Sequence, residues 1–217
     1  MNVREALTWA NRQLSREGVA TPYLDAEVIL CYVMGLERLR LYLEPYRELT
    51  QNQESEYERL IRLRLQGVPV AYIVRKKEFY GIELAVGPGV LIPRPETELL
   101  VEKTLEAIKN LERPRLADIG CGSGAISVAL SVNNEKAVIY ASDISEAAEK
   151  YTRINIEKHR VGGRVFFIRG DLWQPFEEKG IKDLDMVVSN PPYIPSRELT
   201  ELPPEVRKEP RLALDGG

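Results

Sequence analysis

Asn190-Pro191-Pro192-Tyr193 follows directly on the apolar run Leu184-Asp185-Met186-Val187-Val188. Residues of these types at a strand end suit the capture of a planar, uncharged NH2 group. Each proline fixes φ at about −65°, lacks an N–H and holds the residue before it extended, so the carbonyls there are rigid and unpaired. The side-chain oxygen of Asn190 and the carbonyl of Pro191 can accept both hydrogens of an amide or aromatic amine, while the ring of Tyr193 covers its flat face. The same four residues also fit a proline-rich turn leaving a sheet, so the motif needs its context.

A second cluster is Asp118-Ile119-Gly120-Cys121-Gly122-Ser123-Gly124, placed where a strand should turn into a helix. Glycines at alternate positions let the backbone turn sharply and approach a ligand closely. Their Gly-x-Gly-x-Gly spacing departs from the Gly-x-Gly-x-x-Gly of a pyrophosphate-binding loop. Asp118, two residues ahead, would oppose a phosphate but attract an ammonium group. S-adenosylmethionine carries an α-ammonium and no phosphate. Within this loop Cys121 reads as packing beside the cofactor more simply than as a nucleophile.

Asp143 ends the next predicted strand, where a carboxylate can accept both hydroxyls of a ribose. A lone strand-end aspartate usually caps a helix, but the glycine loop ahead of it favours the ribose role. Asp171 follows a third strand and can meet an adenine edge while Leu172 packs on the ring, although a turn aspartate fits equally well. Asn190 stands at the fourth strand end and is expected to border the cofactor with these groups as well as meet the acceptor, because ligands of open α/β sheets bind outside the carboxyl ends of the strands.

Those strand ends need a parallel sheet to bring them together. Short apolar runs at 115–119, 138–142, 165–169 and 184–189 alternate with helical patterns at 124–132 and 145–159, the signature of a parallel sheet covered on both faces. A helix over 96–110 precedes them. Residues 78–86 read as two extended segments around Gly81, with Val90-Leu91-Ile92 as a third. Before that, helical spacings predict helices at 3–16, from Pro22 with Thr21 as cap, at 37–43, and from a Thr50–Gln53 capping box to Gly67. On the second of these, Leu24, Val28 and Cys31 are expected to share the buried face. The organisation is therefore a helical domain at 1–72, a hairpin linker at 73–93 and an α/β domain at 94–217.

Of the 217 residues, 30 are Lys or Arg and 33 are Asp or Glu, a net charge of −3. That balance argues against a strongly basic nucleic-acid footprint. The single histidine, His159, lies in a charged stretch and reads as surface, which takes weight from serine–histidine catalysis and multi-histidine metal sites. Cys31 and Cys121 lack paired spacing, so neither a disulfide framework nor a zinc site is expected. No apolar run approaches the ~18–20 residues of a membrane span, and the first residues lack a signal-peptide core. A cytoplasmic protein is expected.

Together the strand-end residues resemble class I S-adenosylmethionine-dependent methyltransferases acting on planar amino groups. The chain looks most like the release factor glutamine methyltransferases of the HemK/PrmC type, through Gly67-Val68-Pro69-Val70-Ala71-Tyr72-Ile73, Glu78-Phe79-Tyr80-Gly81, Leu91 to Glu98, Asp118 to Gly124 and Asn190 to Tyr193. The run Pro93-Arg94-Pro95-Glu96-Thr97-Glu98 is the most discriminating segment. Val74-Arg75-Lys76, where glycine is frequent, and Cys121, where threonine is common, are small departures.

The resemblance implies a small α-helical domain followed by a Rossmann-like methyltransferase domain. Family members continue by about a strand, a helix and a strand pair beyond Glu209–Gly217, so this domain is expected to be truncated at its carboxyl end. The implied donor is S-adenosylmethionine, without a metal. The implied acceptor is the glutamine of the Gly-Gly-Gln motif in peptide chain release factors, docked by the helical domain, with Thr97 and Glu98 shaping the pocket entrance. Asn190, Pro191 and Tyr193 are the implied catalytic residues, Pro192 joins them in substrate binding, and a monomer with no membrane or direct nucleic-acid partner is expected. Alternatives are a methyltransferase for a ribosomal-protein glutamine or for adenine amino groups, and a non-catalytic cofactor-binding module.

Overall fold

Backbone N–H groups at helix starts need acceptors, and two capping boxes supply them in the amino-terminal part. The computed structural model describes residues 1–217. Its first five helices are α1 (Val3–Arg16), α2 (Pro22–Met34), α3 (Arg38–Leu43), α4 (Gln51–Leu65) and the short α5 (Val70–Val74). Asn2 and Glu5 exchange hydrogen bonds at the start of α1, as Thr50 and Gln53 do at the start of α4. These helices, with residues 203–208, form one compact unit, and residues 75–202 with 209–217 form another.

The helical unit packs Leu7, Leu14, Ile29, Leu30, Tyr57 and Ile61 into one core. On α2 the buried face differs from expectation. Leu24 is exposed and Val28 and Cys31 are half-buried, while Ala26, Ile29, Leu30 and Met34 are buried together with Asp25 and Glu27. Buried carboxylates require paired charge, and the pairs are present: Arg64 meets Asp25 at 2.6 Å and Arg38 meets Glu27 at 2.5 Å. Thr21 makes no cap; its hydroxyl donates to Asp25 at 2.8 Å. Glu205, on the returning segment, accepts a further bond from Arg64 at 2.9 Å.

The second unit opens with an antiparallel hairpin, β1 (Lys76–Phe79) and β2 (Ile82–Ala85). Tyr80 and Gly81 both take positive φ, 48° and 72°, as a two-residue turn between twisted strands demands. The expected extended segment at Val90–Ile92 forms no strand, because the N–H of Ile92 donates to the Glu209 carboxylate at 2.9 Å rather than to a neighbouring backbone.

There follow α6 (Glu96–Ile108), β3 (Arg115–Ile119), α7 (Ala125–Asn133), β4 (Val138–Asp143), α8 (Glu146–Lys158), β5 (Val165–Arg169), α9 (Gln174–Glu178) and β6 (Met186–Ser189). The last strand starts two residues later than expected, since Asp185 is engaged with Arg115 through both backbone and carboxylate, each at 2.8 Å. The sheet is parallel with order β5-β4-β3-β6. Leu116, Val128, Leu130, Ile139, Val165 and Val188 lie in its core. Successive strands run outward from β3 to β5, and then β6 is added on the other side of β3. This reversal of strand order marks where such sheets bind ligands, at the carboxyl ends. The α/β class expected from the sequence holds: a small helical unit followed by a Rossmann-like sheet.

Candidate cofactor and acceptor site

The glycine loop leaves β3 and enters α7 with Gly120, Gly122 and Gly124 all at positive φ, 72°, 56° and 76°. Side chains rarely tolerate that region, so the alternation of glycines is a backbone requirement. The loop spends its N–H groups internally. Those of Gly120 and Cys121 donate to the Ser142 carbonyl at 2.9 and 3.0 Å, that of Gly122 to Asp143 at 2.9 Å, and that of Gly124 to the Cys121 carbonyl at 2.8 Å. A phosphate-binding loop needs such donors free. Four of the loop's donors are therefore already engaged within the chain.

One cavity gathers the four strand ends. Its lining includes Gly120 and Gly122 after β3, Asp143 and Ile144 after β4, Gly170, Asp171 and Leu172 after β5, and Asn190, Pro191 and Pro192 after β6. Asp143 and Asp171 are the only charged residues of the lining. Two carboxylates with no facing cation favour a positively charged ligand. Ile144 and Leu172 are 50% and 68% exposed, so two apolar side chains stand at the cavity ready to cover a flat ring. These features fit S-adenosylmethionine, which combines a sulfonium, an ammonium, a ribose and an adenine.

Asp143 also braces the loop: one oxygen accepts from Gly122 and the other from the Ser145 N–H, both at 2.9 Å. A carboxylate oxygen has a second lone pair, so bracing leaves acceptor capacity toward the cavity. Behind the loop, fully buried Asn155 ties it to the hairpin, donating to the carbonyls of Ser123 and Ala85 at 2.9 Å and accepting from the Ala85 N–H at 2.6 Å.

Around the β6 end, each residue of the Pro93–Glu98 run that carries a polar group inward holds something. The Nδ2 of Asn190 donates to the Thr97 hydroxyl at 3.2 Å. Glu98 accepts from the N–H of Tyr80 at 2.9 Å, and Arg94 meets Glu209 at 2.5 Å. The Pro191 carbonyl has no partner within the chain. Beyond Tyr193 the backbone pairs with the closing segment: Ile194 donates to Leu214 at 3.0 Å, and Gly216 donates to Ile194 at 2.9 Å.

Five expected site residues do not line the cavity: Asp118, Cys121, Ser123, Gly124 and Tyr193. Asp118 is fully buried, and its Oδ2 accepts from the Ser127 N–H and hydroxyl at 3.2 and 2.6 Å. Its other oxygen, Oδ1, is buried without a hydrogen-bond partner. Burial pushes its carboxyl up to about 6. Cys121 is buried beside Thr152, 3.5 Å from its hydroxyl, and burial raises the thiol well above its ordinary range. A thiol held protonated is a poor nucleophile, in accord with a packing role. Ser123 is buried and Gly124 meets Thr152, whereas Tyr193 is 74% exposed.

Other residues at the cavity were not singled out from the sequence. Ile144 directly follows the strand-end aspartate, a position that itself was a usable signal. Pro210, Leu212 and Ala213 also line it, and nothing local in the sequence brings them there. His159 lies at the surface, its Nε2 2.9 Å from the Glu83 carbonyl.

Two family models match the chain: "PrmC N-terminal domain" over residues 5–74 and "Methyltransferase small domain" over residues 95–202. A release factor glutamine methyltransferase of Dictyoglomus turgidum is 39% identical, covering 99% of this chain and 75% of its own length. Its counterpart in Moorella thermoacetica is 42% identical, covering 100% of this chain and 76% of its own length. Among solved structures, the hMettl16 catalytic domain in complex with a MAT2A 3'UTR hairpin aligns with a TM-score of 0.51 at 16% identity, covering 76% of this chain and 58% of that one. That likeness is one of fold. With its parallel sheet, its strand-end cavity and relatives matched from end to end of the chain, the protein belongs to the release factor glutamine methyltransferase family.

Proposed function

We propose that this chain transfers a methyl group from S-adenosylmethionine to the side-chain amide of the glutamine in the Gly-Gly-Gln motif of a peptide chain release factor, in the cytoplasm. The observation that carries the reading is the single cavity in which an acidic, cation-free cofactor surface runs directly into Asn190 and Pro191. Asp143 would hold the ribose and Asp171 the adenine edge, with Ile144 and Leu172 against the ring. Gly120 and Gly122 present open space, with nothing within 4 Å of where a side chain would begin, so the donor's methionine portion can pass close to the backbone.

When bound, the sulfonium of S-adenosylmethionine supplies an electrophilic methyl group. A carboxamide nitrogen is a weak nucleophile because its lone pair is delocalised. Asn190 Oδ1 and the Pro191 carbonyl accept its two hydrogens, aim the nitrogen along the transfer axis and draw electron density toward it. Orientation of this kind supplies most of the rate gain. The proton becomes acidic only as the new N–C bond forms, while it is held at one of these two oxygens, and it then passes to water. Tyr193, exposed beside the motif, closes over the amide face once the acceptor is bound. The helical unit, matched by the PrmC N-terminal model, docks the protein substrate.

The two halves of the site separate experimentally. Asp143→Ala should weaken S-adenosylmethionine binding in calorimetry by roughly a hundredfold or more, the loss of two hydrogen bonds to a charged group at about 1.5–3 kcal/mol each. Asn190→Ala should keep that affinity while methyl transfer falls by about a hundredfold or more. Unchanged transfer by Asn190→Ala with cofactor bound removes the acceptor assignment.

A further inference from the structure

We infer that Thr97 is a positioning residue that anchors the Asn190 side-chain amide where it meets the acceptor; the inference rests on the acceptor reading of Asn190 given above. A side-chain amide has two nearly isosteric orientations, one presenting an oxygen and the other an NH2. Only the first can receive the hydrogens of a glutamine amide, because the second sets NH2 against NH2. In the structure the first is present: Nδ2 of Asn190 donates to the Thr97 hydroxyl at 3.2 Å, which holds the side chain against α6 with Oδ1 left for the acceptor; because a hydroxyl can also donate, Thr97 fixes where the amide stands and not which edge it presents.

Thr97 is itself well fixed. It lies in the first turn of α6, where its N–H donates to the Arg94 carbonyl at 3.0 Å. Its neighbours on either side are anchored too, Arg94 by Glu209 and Glu98 by the Tyr80 N–H. The hydroxyl therefore meets Asn190 from a rigid platform, and both residues are half-buried. Thr97 is not among the residues lining the cavity, so its action on the reaction passes through Asn190. This assigns a physical task to the most discriminating segment of the sequence: Pro93–Glu98 carries the group that anchors the catalytic amide.

The test uses the full chain, S-adenosylmethionine and a release factor, with single-turnover transfer followed by mass spectrometry. Thr97→Val keeps the shape and removes the hydroxyl; Thr97→Ser keeps the hydroxyl. Thr97→Val should lower the transfer rate by roughly three- to tenfold, the range of one neutral hydrogen bond, with cofactor affinity unchanged. Thr97→Ser should retain the rate to within about twofold, since the acceptor oxygen persists. In an Asn190→Ala background, Thr97→Val should cost nothing more, since the two changes act on one interaction. Full activity in Thr97→Val, or an equal loss in both backgrounds, overturns the inference while Asn190 keeps its role. If Asn190→Ala alone transfers normally, the acceptor reading falls first and the role of Thr97 with it.

Discussion

Glu209 offers the sharpest test of how the cavity is held. Its side chain is 2% exposed, pairs with Arg94 at 2.5 Å and accepts the N–H of buried Ile92 at 2.9 Å. It joins two segments that both line the cavity, Gly89–Leu91 on one side and Pro210, Leu212 and Ala213 on the other. Glu209→Ala removes both bonds, leaving a buried N–H without a partner, and Arg94, 31% exposed, turns to water. Breaking one side of a buried pair costs about 3–5 kcal/mol, and the solvent open to Arg94 puts the expected loss at the lower end, about 3 kcal/mol. For a chain of this length that is a fall of roughly 6–12 °C in melting temperature. Glu209→Gln keeps the shape and one acceptor and should lose about half as much. Thermal unfolding by circular dichroism gives the stability, and calorimetry with S-adenosylmethionine gives the cavity wall's contribution, expected as weaker binding in Glu209→Ala. A melting temperature within about 2 °C of wild type, below what 1 kcal/mol would produce, together with unchanged cofactor affinity, refutes the clamp.

Two further outcomes follow from single contacts. Burial raises the Asp118 carboxyl from 3.8 to about 6, so between those values the folded chain keeps a proton that the unfolded chain has released. Its contribution to stability therefore falls as pH rises from about 4 to about 6 and is level above that, by about 3 kcal/mol in all. Denaturant unfolding across this window should show wild type losing stability relative to Asp118→Asn as pH rises; parallel curves would contradict the assignment. At Gly216 a Cβ would lie 2.8 Å from the Tyr193 Cα and 2.9 Å from the Pro192 carbonyl oxygen. Gly216→Ala must displace the acceptor loop, and a shift of that kind should slow transfer by roughly ten- to a hundredfold. Cofactor affinity should hold within about twofold, less than the loss of one hydrogen bond, and equal losses in binding and transfer would point to a wider disruption.

Local chemistry made much of this protein legible before its structure. The glycine loop, Asp143 and Asn190–Tyr193 each sit at a strand end that periodicity could locate, and a parallel sheet can only bring such ends together. What was missed depends on partners far along the chain. The buried face of α2 was misplaced because Asp25 and Glu27 are buried by pairing with Arg64 and Arg38, partners that spacing cannot assign to them. Val90–Ile92 looked like a strand because its backbone partner, Glu209, lies 117 residues beyond Ile92. Charge and spacing suggested an ammonium partner for Asp118 but not Ser127 on α7, from which its Oδ2 accepts two hydrogen bonds. Pro210, Leu212 and Ala213 reach the cavity only because the closing segment pairs along Ile194.

The central claim is that the Asn190–Pro191 pocket methylates a glutamine amide. It is tested most directly by incubating the full chain with S-adenosylmethionine and a release factor and mapping the product by peptide mass spectrometry. A single methyl group on the glutamine of the Gly-Gly-Gln motif, absent with Asn190→Ala, is the predicted result. Cofactor binding without transfer to that glutamine, or a methyl group placed on another residue, would contradict it.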